Sequence, residues 1–328
     1  MIGVLGAGAW GTAIAQLIAA NGPHVLIWGR DQEQIHTMQR DRENARYLPG
    51  QKLHENIQPV ADLAAMAPVT TLFMVIPSSG ARQVMQQVQP YLQPGIPIVS
   101  ATKGFEPASH KRMSEVIADA APGHPIAVLS GPNLAKEVMA GLPTPSVISC
   151  ADATVAQALQ LMLSAATFRA YTNDDIIGTE LGGALKNTIA IAAGIVDELK
   201  LGANAKAGLM TRGLAEITRL GVAMGAQAAT FAGLTGLGDL IATCSSTLSR
   251  NHQVGVMLAQ GIPLTEALQR LGSTAEGVNT TRVALLLAAA RGVEMPIAMA
   301  MGAMLEGRMT PHQAARELMT RRPTQEVY

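Results

Sequence analysis

The chain is poor in what nucleic-acid binding needs. Phe, Trp and Tyr supply only 3% of its 328 residues, too few for a base-stacking platform, and no basic stripe accompanies them. Neither sign of charge is in excess, since 24 Lys and Arg balance 24 Asp and Glu. No global field draws the protein to nucleic acid or to an anionic membrane, so any anion it recognises is met by a local cluster. Cysteine is scarce too: Cys150 and Cys244 form no Cys-x-x-Cys pair, which argues against a disulfide framework and fits a reducing, cytoplasmic compartment. The seven histidines show no ligand spacing and no Gly-x-Ser-x-Gly occurs, so neither a metal site nor a hydrolase elbow is expected. Apolar runs such as VALLLAAARGV fall short of a bilayer span, and no stable membrane insertion is expected. Met1 to Leu5 already read as strand, with no basic region ahead of an apolar run, so no signal peptide is expected.

What the chain does have is apolar material, 48% of it, and enough length for two domains. Up to about residue 172, strand-like runs alternate with helix-like ones. The strands read as Ile2–Gly6, His24–Trp28, Thr71–Ile76, Ile96–Ser100, Ile126–Leu129, Ser146–Cys150 and Phe168–Tyr171. Helices read as Thr12–Ala20, Ala81–Leu92, His110–Ala120 and Thr154–Ala165. This alternation predicts a doubly wound, mostly parallel α/β sheet over residues 1–172. From 173 to 328 strand character is lost and helical spacing takes over, which predicts an all-α domain. Thr310 and Pro311 mark one helix start there.

The stretch VLGAGAWGTA holds Gly6, Gly8 and Gly11 between a strand and a helix, a dinucleotide-binding turn of the Rossmann type. The helix N-terminus offers free N–H groups to a pyrophosphate. An acidic residue usually follows the second strand and binds the ribose 2′-hydroxyl. Gly29 and Arg30 stand there instead. This favours NADPH, because Arg30 can pair with a 2′-phosphate; Asp31 one position on keeps NADH open. The bland alternative for Arg30 is a solvated surface arginine.

Ligands of open α/β sheets collect outside the carboxyl ends of the strands. Pro77 and Ser78, then Lys103, then Gly131, Pro132 and Asn133 follow successive strands at that edge. In the helical half, Lys186 and Asn187 lie in an otherwise apolar stretch, so the lysine either snorkels out or faces a cavity. Asp239 follows a glycine-rich turn and reads either as a helix cap or as a site residue. Ser249, Arg250 and Asn251 cluster at a helix start suited to a phosphate, or to an ordinary cap. Ser273 and Glu276 match a capping box outright.

Taken together, GAGAWGTA, SATKGF, SGPNLAKEV, ELGGALKN, TGLGDLIATC, SRN and AEGV resemble bacterial-type NAD(P)-dependent glycerol-3-phosphate dehydrogenase over essentially the whole chain. The resemblance implies a Rossmann domain followed by an all-α domain, a homodimer, and conversion of dihydroxyacetone phosphate to sn-glycerol 3-phosphate for phospholipid synthesis. It makes Lys186 the general acid/base and puts Lys103 against both substrate and cofactor. Gly131, Asn133, Asp239, Ser249, Arg250 and Asn251 then complete the substrate pocket. Ala9, Trp10, Arg30, Ala135, Arg250, Thr274 and Glu276 line the cofactor site with the glycine turn. Many members carry Ser or Thr at the position of Asn133 and Ser at that of Ala9. Two other readings are a β-hydroxyacid dehydrogenase, whose lysine stands four residues ahead of an asparagine, and a non-catalytic NADPH-sensing module.

Overall fold

The computed structural model describes residues 1–272, 275–323 and 325–326. Its first half alternates strand and helix. β1 (Ile2–Leu5), α1 (Ala9–Ala20), β2 (Val25–Trp28), α2 (Gln32–Asp41) and β3 (Ile57–Val60) form one unit. β4 (Thr71–Met74), α3 (Ala81–Val88), β5 (Ile98–Ser100), α4 (Met113–Ala120) and β6 (Ile126–Ser130) form the next. α5 (Ala135–Met139), β7 (Thr144–Cys150), α6 (Ala153–Leu163) and β8 (Phe168–Asn173) close the sheet.

The eight strands lie in the order β3-β2-β1-β4-β5-β6-β7-β8, parallel except where β7 runs against β6. The first six have the order of a dinucleotide-binding sheet, which reverses direction between β1 and β4. Alternate residues of β1 explain why it reads as continuously apolar. Ile2 and Val4 pack into the core under α1 and α2, whereas Leu5 faces the core of α3 and α4.

Three elements of this half, β3, α2 and the five-residue α5, lie outside the strand and helix runs read above. β3 contains Pro59, which a strand tolerates only at an edge, and β3 is the sheet's edge. The polar helix α2 buries only Ile35 and Met38. Boundaries shift as well. α1 begins at Ala9, three residues before the expected Thr12, because the glycine turn leads straight into the helix. α3 stops at Val88, where Pro90 follows in a short 3₁₀ turn. α4 opens only at Met113, because His110 adopts a left-handed backbone with φ of 62°.

After β8 every described element is helical: α7 (Ile176–Glu198), α8 (Ala203–Ala223), α9 (Ala228–Ala232), α10 (Asp239–Ser245) and α11 (Arg250–Ala259). α12 (Leu264–Leu271), α13 (Glu276–Ala289), α14 (Pro296–Leu305) and α15 (Pro311–Thr320) follow. α7 is buried along its whole length from Gly178 to Ile195, with other helices packed around it. Glycines allow that crowding. A Cβ on Gly255 of α11 would stand 1.9 Å from the Ile191 carbonyl oxygen of α7. At the far end, Thr310 and Gln313 form a reciprocal capping box ahead of α15. Among the described residues, no helix is long and apolar enough to cross a membrane.

Candidate active site

The cofactor wall starts at β1. Gly6 takes a φ of +120°, and a side chain there would stand 2.4 Å from the Val75 carbonyl oxygen. A Cβ on Gly11 would stand 1.8 Å from the Gly6 oxygen, so the helix can lie on the strand only with glycine at that point. Gly8, by contrast, faces open space and gives α1 no side-chain cap. The first-turn N–H groups of α1, which carries Ala9 and Trp10 at its start, are therefore open to an incoming anion. The buried Trp10 Nε1 has no hydrogen-bond partner among the described residues. An open glycine, an uncapped helix start and an orphaned indole N–H fit a dinucleotide pyrophosphate.

At the exit of β2 the absent acid has a packing reason. A Cβ on Gly29 would stand 2.9 Å from Ile35 Cδ1 and 3.0 Å from Ala7 Cβ. Arg30 is exposed. Asp31 is the N-cap of α2, accepting from Gln34 N at 3.1 Å, and it also pairs with Arg46 at 3.0 Å.

The catalytic candidates meet where the two halves touch. On α7, Gly183 lies against the end of β6: a Cβ there would stand 2.5 Å from Ser130 Oγ. Lys186, three residues on, shares that face of the helix and points into the seam. Its Nζ lies 2.9 Å from Asp239 Oδ1 and also donates to the Thr243 hydroxyl. From the opposite wall, Lys103 donates to Asp239 Oδ2 and to the Gly131 carbonyl, both at 2.7 Å. Asp239 is thus no helix cap. Its two oxygens each hold a lysine, and Thr243, one turn along α10, donates to Oδ1 at 3.1 Å.

Two ammonium ions on one buried carboxylate leave a net positive site. Burial pushes the Asp239 carboxyl up, but Lys103 and Lys186 pull it down further, and it ends below its ordinary 3.8. Burial draws the Lys103 ammonium from 10.5 down to about 8; Asp239 opposes that fall and Lys186 adds to it. Lys103 therefore titrates in the range where enzymes operate.

The start of α11 forms the other rim. Ser249 caps the helix, its Oγ accepting from His252 N at 3.3 Å, so the cap reading describes its side chain here. Asn251 donates to Asn187 Oδ1 at 2.9 Å and accepts from Gly277 N at 3.0 Å, which ties α11 to α7 and α13. Arg250 is exposed beside them. Crowding by the protein lowers its pKa from 12.5, while Glu276 and Tyr47 raise it. Glu276 opens α13, with Ala275 as its N-cap. Its carboxylate reaches Ser78 across the seam. Ser273 and Thr274 lie outside the described residues.

Asn133 and Ala135 stand further from the lysines. Asn133 donates to Ser146 Oγ at 3.2 Å, and Ala135 opens α5 against α1. Sequence reading missed Thr243, although its spacing of four from Asp239 marks a shared helix face. It also missed Tyr47, which a loop brings within electrostatic reach of Arg250 and which carries no motif.

Comparison with known proteins bears directly on this cleft. Residues 1–156 match the model for the NAD-dependent glycerol-3-phosphate dehydrogenase N-terminus, and residues 175–316 match that for its C-terminus. The chain belongs to this family. A relative from Sphingopyxis alaskensis, glycerol-3-phosphate dehydrogenase (NAD(P)+) 2, is 48% identical over 97% of this chain and 96% of its own. One from Desulfitobacterium hafniense is 46% identical over 99% of this chain and 93% of its own. The crystal structure of glycerol-3-phosphate dehydrogenase from Coxiella burnetii superposes with a TM-score of 0.94 at 39% identity, covering 98% of both chains. Family membership sets aside the β-hydroxyacid dehydrogenase and sensing-module readings.

Proposed function

We propose that this cleft interconverts dihydroxyacetone phosphate and sn-glycerol 3-phosphate. The protein is an NAD(P)-dependent oxidoreductase of the glycerol-3-phosphate dehydrogenase family. When bound, the nicotinamide would supply or accept the hydride. The chain's own groups do the rest. Lys186 gives its proton to the ketone oxygen as negative charge develops there, and takes it back in the oxidative direction. Asp239 and Thr243 hold the Lys186 nitrogen in place. Lys103 adds a second positive charge that favours the developing oxyanion. Arg250 and Asn251 grip the phosphate, which fixes the reacting carbon. Gly131, Asn133 and Ser249 border the substrate.

The single observation that carries this reading is the Asp239 carboxylate shared by lysines from both halves, Lys103 and Lys186. Gly6, Gly8, Ala9, Trp10, Gly11, Arg30, Lys103, Ala135, Arg250, Thr274 and Glu276 would hold the cofactor. The preference is for NADPH over NADH, supported by an exposed Arg30 and by the packing that keeps an acid out of position 29. The division into residues 1–172 and 173–328, a homodimer and a cytoplasmic location complete the proposal. Initial rates with dihydroxyacetone phosphate, run in parallel with NADPH and NADH, test it. Oxidation of both, faster with NADPH, is expected. Equal rates would remove the preference, and no oxidation of either would remove the function.

A further inference from the structure

Arg250 and Glu276 are neighbours of opposite charge that form no ion pair. The helices that carry them start side by side, joined by the Gly277 N–H donating to Asn251 Oδ1 at 3.0 Å. The Glu276 charge acts on Arg250. Yet among the described residues the Arg250 guanidinium has no hydrogen bond or salt bridge. Opposite charges on two adjoining helix starts would gain Coulomb energy by pairing, so the absence of a pair needs a cause.

The restraint comes from the sheet. Ser78 follows Pro77 at the exit of β4, 198 residues from Glu276 in sequence. Its backbone N–H donates to Glu276 Oε1 at 3.0 Å and its hydroxyl to Oε2 at 2.6 Å. Both carboxylate oxygens are engaged by one residue that is only 2% exposed. Gly104 makes room for this arrangement, since a Cβ there would stand 2.6 Å from Glu276 Oε2. The carboxylate is therefore seated from two sides and turned toward the sheet.

We propose that Ser78 is a positioning residue: it holds the Glu276 carboxylate away from Arg250 and so keeps the guanidinium free for the substrate phosphate. This inference rests on the reading that the cleft binds a phosphorylated ketone. An arginine already paired with a carboxylate must give up that partner before it binds phosphate, and the competition appears as lost affinity. Ser78 touches neither the reacting atoms nor the phosphate. Its effect passes through Glu276.

The test is a double-mutant cycle on the full chain, read by calorimetric binding of sn-glycerol 3-phosphate without cofactor and by steady-state kinetics. Ser78→Ala should weaken binding by about tenfold, the scale of one competing charge pair. The KM for dihydroxyacetone phosphate should rise in step, and kcat should change less than KM. Adding Glu276→Gln to Ser78→Ala should restore the affinity of the Glu276→Gln single variant, because no competing charge remains. Unaltered binding in Ser78→Ala would overturn the inference alone. So would a loss that persists in the double variant, which would make Ser78 a purely structural contact. A wild-type chain that neither binds glycerol phosphate nor reduces the ketone would overturn the functional reading, and this inference with it.

Discussion

Lys103 Nζ stands 2.7 Å from Asp239 Oδ2, a contact made across the seam between the sheet and the helices. Asp239 holds Lys186 with its other oxygen, so moving either wall disturbs both ammonium groups. The chemistry assigned to the cleft depends on this shared carboxylate.

Replacing Lys186 with Ala should leave Asp239 paired to Lys103 and the fold largely intact. Turnover should fall by about a hundred- to ten-thousand-fold, the range for a positioned general acid or base. NADPH binding, followed by fluorescence titration, should persist. A loss of less than about tenfold in kcat would take Lys186 out of the reaction.

Asp239→Asn should be more damaging to the fold than Lys186→Ala. It leaves two buried ammonium ions with no counter-charge, and breaking a buried pair from one side costs about 3–5 kcal/mol. Losing that carboxylate also drives the Lys103 pKa further below about 8. The variant's stability deficit in urea should shrink as the solution is made alkaline and Lys103 goes neutral. An identical deficit at neutral and alkaline pH would show that the charges do not set the cost.

The pH dependence has two parts with definite signs. Lys103 loses its proton near pH 8, so kcat/KM for the anionic substrate should decline as pH rises through that value. Lys103→Arg, which stays charged throughout, should flatten that limb. In stability the sign is opposite. The native pKa of about 8 lies below the ordinary 10.5, so the unfolded chain holds more protons between those values, and stability rises with pH across that window. The rise contributed by Lys103 should be about 3 kcal/mol. A Lys103→Gln variant should lack it in pH-dependent denaturation curves, and an unchanged slope would contradict the lowered pKa.

Cofactor choice should respond to Arg30 with little change in stability, because the residue is exposed. Arg30→Ala should raise the KM for NADPH by about tenfold, one charged contact to phosphate, and alter that for NADH far less. Gly29→Asp is expected to fail differently, by lowering the melting temperature, since its Cβ would press on Ile35 and Ala7. Parallel loss of both cofactors in Arg30→Ala would remove the 2′-phosphate contact.

Much of the architecture was legible because it is written in local pattern. Short apolar strands around a glycine turn announce a sheet buried on both faces, and their order of appearance follows the chain. β3 was hidden by Pro59, whose missing N–H argues against a strand unless the edge position is known. α2 was hidden because a helix burying two residues shows little apolar periodicity.

The candidate site was legible as a set of residues through motif order. Which groups touch was not. Asp239 reads as cap or site residue, and only the packed structure shows its carboxylate holding two lysines, while the Ser249 side chain caps its own helix at the opposite rim. The amino-acid sequence by itself determined the glycine turn, the strand–helix alternation and the presence of isolated charges in apolar surroundings, because each is a matter of neighbours along the chain. The tertiary structure alone decided that Lys103 and Lys186 share a carboxylate and that Ser78 seats Glu276. Those contacts join residues scores of positions apart, and the packing of α7 against the end of β6 sets their geometry.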